Sequence, residues 1–397
     1  MSNYSLRAVS YDALVHQKYQ DIRYTIITNA NDKQFEIFLP SFTLIIILMV
    51  IGIPSNILTL LVYTRRLKKA IARQFLITLA TCDFLTCAVV MPTELVIMTH
   101  FFDLDLRWLC KSFRWFAYSV NNISSLTLLA IAFERYRLVC KPWKPKFTDA
   151  TSRRMCYVNI IISVAIALPM FFVYGTQTIP LFAIQNITDG NRFNTSVEGL
   201  DVLIDGKSCL MDDAMEQLSF PFSVVTSVAY ISSIIIIFLA LIVLYSHVIN
   251  SLAKRRKESL CQKEGKMKET SANRIQKITF MMIILTLLFE ICYLPCLSVV
   301  CLRLSKPAYY NKLSTAGKTV FQLLLKSYLL CSALNPFVYC FCNNEFLEGL
   351  LSILKAAFPF LCRNQSRLSS EKHGSVLKVE DSNKLPSTNK TETIEIL

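Results

Sequence analysis

Glycine is scarce in this chain of 397 residues, with only 9 present, and no segment repeats another. Secondary transporters are built from internal repeats whose helices are broken by Gly or Pro at matching positions. The scarcity therefore weighs against a multi-span transporter, which stays as the alternative from another class. With 4 histidines there is little acid–base machinery. The sequence has no Gly-rich phosphate loop and no His or Cys cluster at metal-ligand spacing, so no enzyme is expected and no cofactor beyond an ion. The opening stretch MSNYSLRAVSYDALVHQKYQ lacks the apolar core of a signal peptide. The first apolar run is expected to act as its own insertion signal.

Charged residues are also few, at 18%, against 53% hydrophobic ones. That is too apolar for ordinary soluble domains. The apolar residues fall into runs near Ile37 to Tyr63, Phe75 to Phe101, Ser112 to Val139, Met155 to Tyr174, Leu218 to Ile249, Ile278 to Leu302 and Val320 to Phe341. Each reaches the length of about 20 residues that crosses a hydrocarbon core. Seven crossings put the two termini on opposite sides. Lys and Arg accumulate in cytoplasmic loops, and here they gather at Arg65 to Arg73, Lys141 to Arg154, Lys254 to Lys257 and in the tail. Between the fourth and fifth runs the chain is acidic, with Asp189, Glu198, Asp201, Asp205, Asp212, Asp213 and Glu216. The expected arrangement has an extracellular N-terminus and a cytoplasmic tail in the plasma membrane. The net charge of +14 is then a topology signal divided among loops, and no nucleic-acid partner is expected.

That orientation sorts the smaller motifs. The sequons at Asn3, Asn186 and Asn194 fall outside and are candidate glycosylation sites, whereas those at Asn122, Asn364 and Asn389 do not. Most of the 14 cysteines lie in apolar runs and read as small buried hydrophobes. Cys110 and Cys209 alone are placed externally, which makes them a disulfide candidate. Cys362 follows a short amphipathic stretch and is a candidate for palmitoylation, with a free thiol as the alternative.

The third run ends in AFERYRLVCKPWKPK, with Glu134 beside Arg135 at the membrane edge. An Arg snorkelling to headgroups would explain the cation but not its carboxylate neighbour or Tyr136. Asp83 in LATCD lies near the middle of the second run, where a carboxylate must be neutral, paired or bound to a cation. NPFVY occupies Asn335 to Tyr339 in the seventh, and Asn56 in GIPSN and CYLP from Cys292 to Pro295 complete the set. Together, in this order and with Cys110 paired to Cys209, these motifs resemble the rhodopsin-like G-protein-coupled receptors over roughly residues 35 to 355. The resemblance implies an all-α bundle of seven transmembrane helices followed by a short amphipathic helix. The expected divisions are an extracellular segment 1–36, the bundle 37–341, the amphipathic helix 342–355 and a disordered cytoplasmic tail 356–397.

What the resemblance implies can be stated for each residue. Arg135 is held by Glu134 at rest and turns toward a heterotrimeric G protein on activation, with Tyr136, Tyr245, Asn335, Pro336 and Tyr339 in the same switch. Asp83, Ser124, Ser332 and Asn335 match positions around a polar pocket that often holds sodium; polar glue between helices is the alternative. Tail residues Ser366, Ser369, Ser370 and Ser375 are candidate kinase sites, which adds receptor kinases and arrestin to the expected partners, beside membrane lipid. The sequence departs from the pattern where the fourth run lacks a tryptophan, where Ile237 stands in place of a proline in the fifth, and where Tyr293 replaces a tryptophan in the sixth.

The ligand is the least legible part. Ala117 stands where amine receptors carry an aspartate, and Leu329 where opsins carry their lysine. Arg114, Ala117, Tyr118 and Asn121 recur at helical spacing on one face of the third run, and Glu94, Tyr293, Arg303 and Lys326 are expected near the same mouth. Solvated helix ends are the alternative for Arg303 and Lys326. The expectation is a peptide, most simply a neuropeptide, whose acidic end would pair with Arg114 or whose basic or amidated end would lean on Glu94. A lipid or small organic ligand remains the alternative.

Overall fold

The computed structural model describes residues 2–67, 72–145, 147–183, 202–216, 222–261, 266–306 and 308–357. Asn186, Asn194, Cys362 and the tail serines lie outside these residues, as does the side chain of Asn3.

In hydrocarbon every backbone N–H and C=O needs a partner within the protein, so apolar runs of this length become helices. Helix α1 spans Ser2–Leu61 and ends in a π-helical turn at Val62–Arg66. The second span joins α2, Arg73–Leu85, to α3, Met91–Thr99, through a π turn at Thr86–Val90. Helices α4, Arg107–Cys140, and α5, Asp149–Val173, form the third and fourth. An antiparallel hairpin of β1, Tyr174–Ala183, and β2, Val202–Met211, follows, then the short α6, Asp213–Glu216. The fifth and sixth spans are α7, Phe222–Cys261, and α8, Lys266–Ser305. After the short α9, Tyr309–Lys312, the seventh is broken into α10, Thr315–Leu325, and α11, Leu329–Cys342, bent by 51°. Helix α12, Asn344–Ala357, closes the described chain. Among the described residues six helices are long and apolar enough to cross a membrane, and the bent pair makes seven.

Three features refine the sequence reading. Helix α1 continues without interruption through the segment expected to precede the bundle. With Ile237 in place of proline, α7 runs unbroken from Phe222 to Cys261, because every residue can donate its N–H along the ladder. The loop between the fourth and fifth spans contributes a β-hairpin to an otherwise helical fold.

Helix α4 is central and packs on α2, α5, α7 and α8. Phe75, Leu79, Leu128, Ile131, Leu285 and Phe289 are buried along that contact, while Ile161, Ile236 and Phe341 face outward from the bundle, as hydrocarbon solvent permits.

The hairpin is fixed over one end of α4. Cys110 and Cys209 form a disulfide. Three residues on from Cys209, buried Asp212 receives a two-pronged hydrogen bond from Arg107, with Nε at 2.8 Å, and an ion pair from Lys111 at 2.7 Å. The Phe102 N–H donates to Asn31 Oδ1 at 2.8 Å, and the Lys207 N–H donates to the Phe102 carbonyl at 2.8 Å. These bonds tie α1, the first external loop and β2 together.

Burial alone would raise the Asp212 carboxyl pKa, but the hydrogen bonds from Arg107 and Lys111 outweigh it and hold the value at about 2. A folded-state pKa below the unfolded one stabilises the fold above the unfolded value, and the gain is lost as pH falls through the folded value. The thermal midpoint of the detergent-solubilised protein should therefore fall between about pH 4 and pH 2. In Asp212→Asn the midpoint should already be several degrees lower at pH 7, and the part of the acid dependence due to this residue should be gone.

Candidate functional site

Polar side chains collect at three depths along the bundle axis. Under the hairpin, Glu94 of α3 accepts from Arg114 Nη1 of α4 at 2.6 Å through Oε1, and from Lys326 Nζ at 2.6 Å through Oε2. All three are largely withdrawn from solvent. One carboxylate facing two cations leaves one positive charge in excess. The Arg114 guanidinium also lies over the Tyr174 ring at 5.4 Å, a favourable contact for a partly desolvated cation. The hydroxyls of Tyr118 and Tyr174 are 2.9 Å apart, and the Tyr118 ring meets Tyr230 edge-on at 4.8 Å. The start of the hairpin thus forms one wall of the cluster.

Lys326 lies in the break between α10 and α11, where the chain leaves helical geometry. Its neighbour Ser327 donates to the Cys292 carbonyl at 2.7 Å, in the turn of α8 before Pro295. Tyr328 packs on Tyr293 with centroids 5.7 Å apart, and Tyr293 packs on Phe289 at 4.3 Å. A continuous set of contacts therefore runs from the charge cluster into α8.

Deeper in the bundle, the buried Asp83 accepts from Asn335 Nδ2 at 2.7 Å. A cavity of about 10 Å³ beside it is lined by Asp83, Asn121, Ser124 and Ser332, with Tyr293 and Tyr328 above. That is room for a single water-sized guest. The donor set is one carboxylate with hydroxyl and amide oxygens, a chemistry suited to a hard monovalent cation. Among the described residues no three His, Cys, Asp or Glu side chains gather as a metal site.

At the far end, Arg135 is fully buried and donates from Nη2 to Glu134 Oε2 at 2.9 Å, while its Nε and Nη1 have no partner among the described residues. Tyr245 of α7 lies 3.2 Å from Thr286 Oγ1 and 3.4 Å from the Met282 carbonyl of α8. Tyr339 is buried between Tyr63 and Phe346, with centroids at 5.8 and 5.5 Å. Tyr136 meets His247 of α7 edge-on at 6.0 Å.

Several expected site residues fall elsewhere. Ala117 packs in an apolar cluster with Cys110, Cys209 and Phe113. Asn121 lines the Asp83 cavity. Arg303 is exposed at the end of α8 and does not join the Glu94 cluster. Glu94 has both oxygens engaged, by Arg114 and by Lys326. Lys326, expected near the same mouth as Glu94, pairs with it directly from the break in the seventh span. The sequence reading passed over Glu290, a carboxylate within α8 whose Oε1 is buried without a hydrogen bond. An acid in LTLLFEICYLP was the available signal. Thr286 and Arg255, whose Nη2 donates to the Val139 carbonyl at 2.6 Å, left no comparable mark.

Removing Glu94 leaves two buried cations uncompensated, a loss of about 3–5 kcal/mol for a broken buried pair. Glu94→Gln should lower the thermal midpoint sharply. Adding Lys326→Met should restore part of it, because the second change removes a cation that the first left unpaired. Additive losses in this double-mutant cycle, read by thermal unfolding in detergent, would mean that the pair is not formed.

Comparison with known proteins agrees with this geometry. The profile of the 7 transmembrane receptor (rhodopsin family) matches residues 55–339, more than half of the chain. The tachykinin-like peptides receptor 99D of Drosophila melanogaster is 23% identical over 324 residues, covering 78% of this chain and 55% of the relative. The chain thus spans little more than half of that relative's length. The human (Homo sapiens) cholecystokinin receptor type A is 23% identical over 368 residues, covering 80% of this chain and 79% of the relative. The rat (Rattus norvegicus) substance-P receptor is 23% identical over 333 residues, covering 83% and 73%. A multi-pass helical bundle, the disulfide from α4 to the hairpin and the match from the first span to NPFVY together identify the chain as a member of the rhodopsin family of seven-transmembrane receptors.

Proposed function

We propose that the protein is a plasma-membrane receptor, N-terminus outside, that binds an extracellular peptide and activates heterotrimeric G proteins. The observation that carries the ligand reading is the Glu94–Arg114–Lys326 cluster under the hairpin, with its excess positive charge. It favours a peptide whose carboxylate, at its end or on a side chain, competes with Glu94 for Arg114 and Lys326. The three relatives named above are receptors for tachykinin-like peptides, cholecystokinin and substance P by name, which supports a peptide over an amine. A lipid or small organic acid is the second reading, favoured by the same positive charge.

In this mechanism the ligand's carboxylate draws Lys326 from Glu94 and shifts the break between α10 and α11. Ser327, Tyr328 and Tyr293 carry the change to α8. As α8 moves from Tyr245, Arg135 exchanges Glu134 for contacts in the opened inner cavity. A ligand shifts such an equilibrium only by its differential affinity for the two arrangements, and competition with Glu94 supplies that difference.

A peptide library screened beside amine and lipid libraries, with nucleotide exchange on a panel of G proteins as readout, tests the reading. An acidic peptide should activate the parent. Arg135→Ala should keep peptide binding and surface expression while losing exchange. Activation by an amine that survives Arg114→Ala would overturn the peptide reading, and full exchange in Arg135→Ala would overturn the switch.

Asp83, Ser124, Ser332 and Asn335 would hold a sodium ion, whose charge would offset the carboxylate in the resting bundle. Sodium bound only at rest lowers agonist affinity through linkage, by about 5–150-fold at typical coupling energies. Replacing sodium with a bulky organic cation should raise agonist affinity in the parent and leave Asp83→Asn unchanged. Indifference of the parent to the exchange would leave Asp83 a structural residue.

A further inference from the structure

Between the π turn that ends the first span and the last turn of α12 lies a groove of about 480 Å³, lined by Leu61, Arg65, Arg66, Ile353, Ala356 and Ala357. Its size is within the range of about 300–1,000 Å³ typical of small-molecule sites. We infer that this groove binds the phosphate headgroup of an anionic phospholipid from the cytoplasmic leaflet. The inference rests on the orientation proposed above and on none of the ligand reading.

Two consecutive residues on an α-helix diverge by about 100° around its axis. The π turn, closed by the Leu67 N–H donating to the Val62 carbonyl at 3.0 Å, alters that spacing, and both Arg65 and Arg66 border the groove. Neither guanidinium has a hydrogen bond or ion pair among the described residues. Three other arginines at this end are engaged: Arg73 donates to the Tyr63 carbonyl at 2.8 Å, Arg137 to the Pro145 carbonyl at 3.2 Å and Arg255 to the Val139 carbonyl at 2.6 Å. Among the described residues no carboxylate lines the groove, and Lys355 is exposed beside Ala356. Paired guanidinium groups suit a phosphate, which they can grip through two parallel N–H donors each.

The other wall is built for closeness. A Cβ at Gly349 would lie 3.2 Å from Val62 Cγ1 and 3.5 Å from Arg66 Cβ, so the glycine lets α12 approach the end of the first span. Helix α12 buries Phe346 and exposes Leu347 and Leu351, the division expected of a helix lying in the interface. Leu61 at the groove continues toward the bilayer centre through Ile57 and Val50, both outward-facing, at spacings of four and seven residues. A diacyl lipid can use both parts, phosphate on the arginines and chains along this stripe. A free phosphate can use only the first.

The test is lipid retention by the purified full-length protein, read by native mass spectrometry from mixed micelles of phosphatidylcholine and phosphatidylinositol bisphosphate. The parent should keep one phosphatidylinositol bisphosphate in preference to phosphatidylcholine. The doubly substituted R65Q/R66Q protein should lose that retention by about tenfold or more, the scale of two basic residues at an anionic surface. Ala356→Trp and Ala357→Trp, which fill the groove and leave both charges, should lose it too, while Lys318→Gln on α10 should not. Unchanged retention in R65Q/R66Q would overturn the site. Retention in both tryptophan variants would mean diffuse attraction to basic loops and would also overturn it. Equal retention of inositol trisphosphate, the headgroup without chains, would make the ligand a soluble phosphate. A C-terminal epitope on intact cells separates the two readings: antibody binding without permeabilisation would overturn the orientation, and with it the leaflet, whatever the retention data.

Discussion

A single amide, Asn56, holds together the part of the bundle on which the proposed switches depend. Pro336 has no N–H to give the Ser332 carbonyl four residues earlier, and in hydrocarbon that carbonyl has no water to turn to. Asn56 Nδ2 donates to it at 2.8 Å, and to the Gly52 carbonyl at 2.9 Å. The interrupted helix is thereby repaired by another helix, and the first and seventh spans cannot separate without exposing an orphaned acceptor. Asn335, one residue before the proline, is then positioned to donate to Asp83, which brings in the second span.

Buried carboxylates in this bundle are met in three ways, and the differences separate their roles. Glu94 has two cations, Glu134 has the adjacent Arg135, and Asp83 has a neutral amide. A buried ion pair adds little net stability over an apolar pair, but breaking one is costly. A group that takes over one partner is therefore favoured strongly. At Glu94 such a competitor must be an anion, because the surplus charge is positive. At Asp83 the proposed guest is a small cation, since the carboxylate has only a neutral amide partner and the cavity admits one small guest.

The sequence made the spans, the disulfide, the Glu134–Arg135 pair and the Asp83–Asn335 pairing legible, because apolar length and local motif determine them. It could not show that Lys326 meets Glu94. It placed both near one mouth without pairing them, and the bend of the seventh span has no proline at the break, only Lys326 and Ser327 bonded to other helices. Ala117, expected by helical spacing on the ligand-facing side of the third span, packs in the apolar cluster around the disulfide. The hairpin eluded the reading because its strands are separated by a long acidic connection and are ordered by Asp212 and Cys209, contacts far apart in the chain. The groove beside α12 depends on a π turn, which has no composition signature.

At the inner end the resting arrangement carries an energetic cost of its own. Arg135 Nε and Nη1 and the Tyr339 hydroxyl are buried without partners, and an unsatisfied buried polar group costs about 1–3 kcal/mol. Packing offsets that cost: Tyr339 is enclosed by Tyr63 and Phe346, and Arg135 keeps Glu134. Opening this end to water or to a partner protein would satisfy those polar atoms while giving up the ring contacts. In the proposed switch these opposing terms set the balance that input from the Lys326 end would shift. Phe346 belongs to α12, and Gly349 holds α12 against Val62, next to Tyr63. The ring enclosure that keeps Tyr339 in place is therefore set in part from the groove side, which makes the position of α12 one of the terms in that balance.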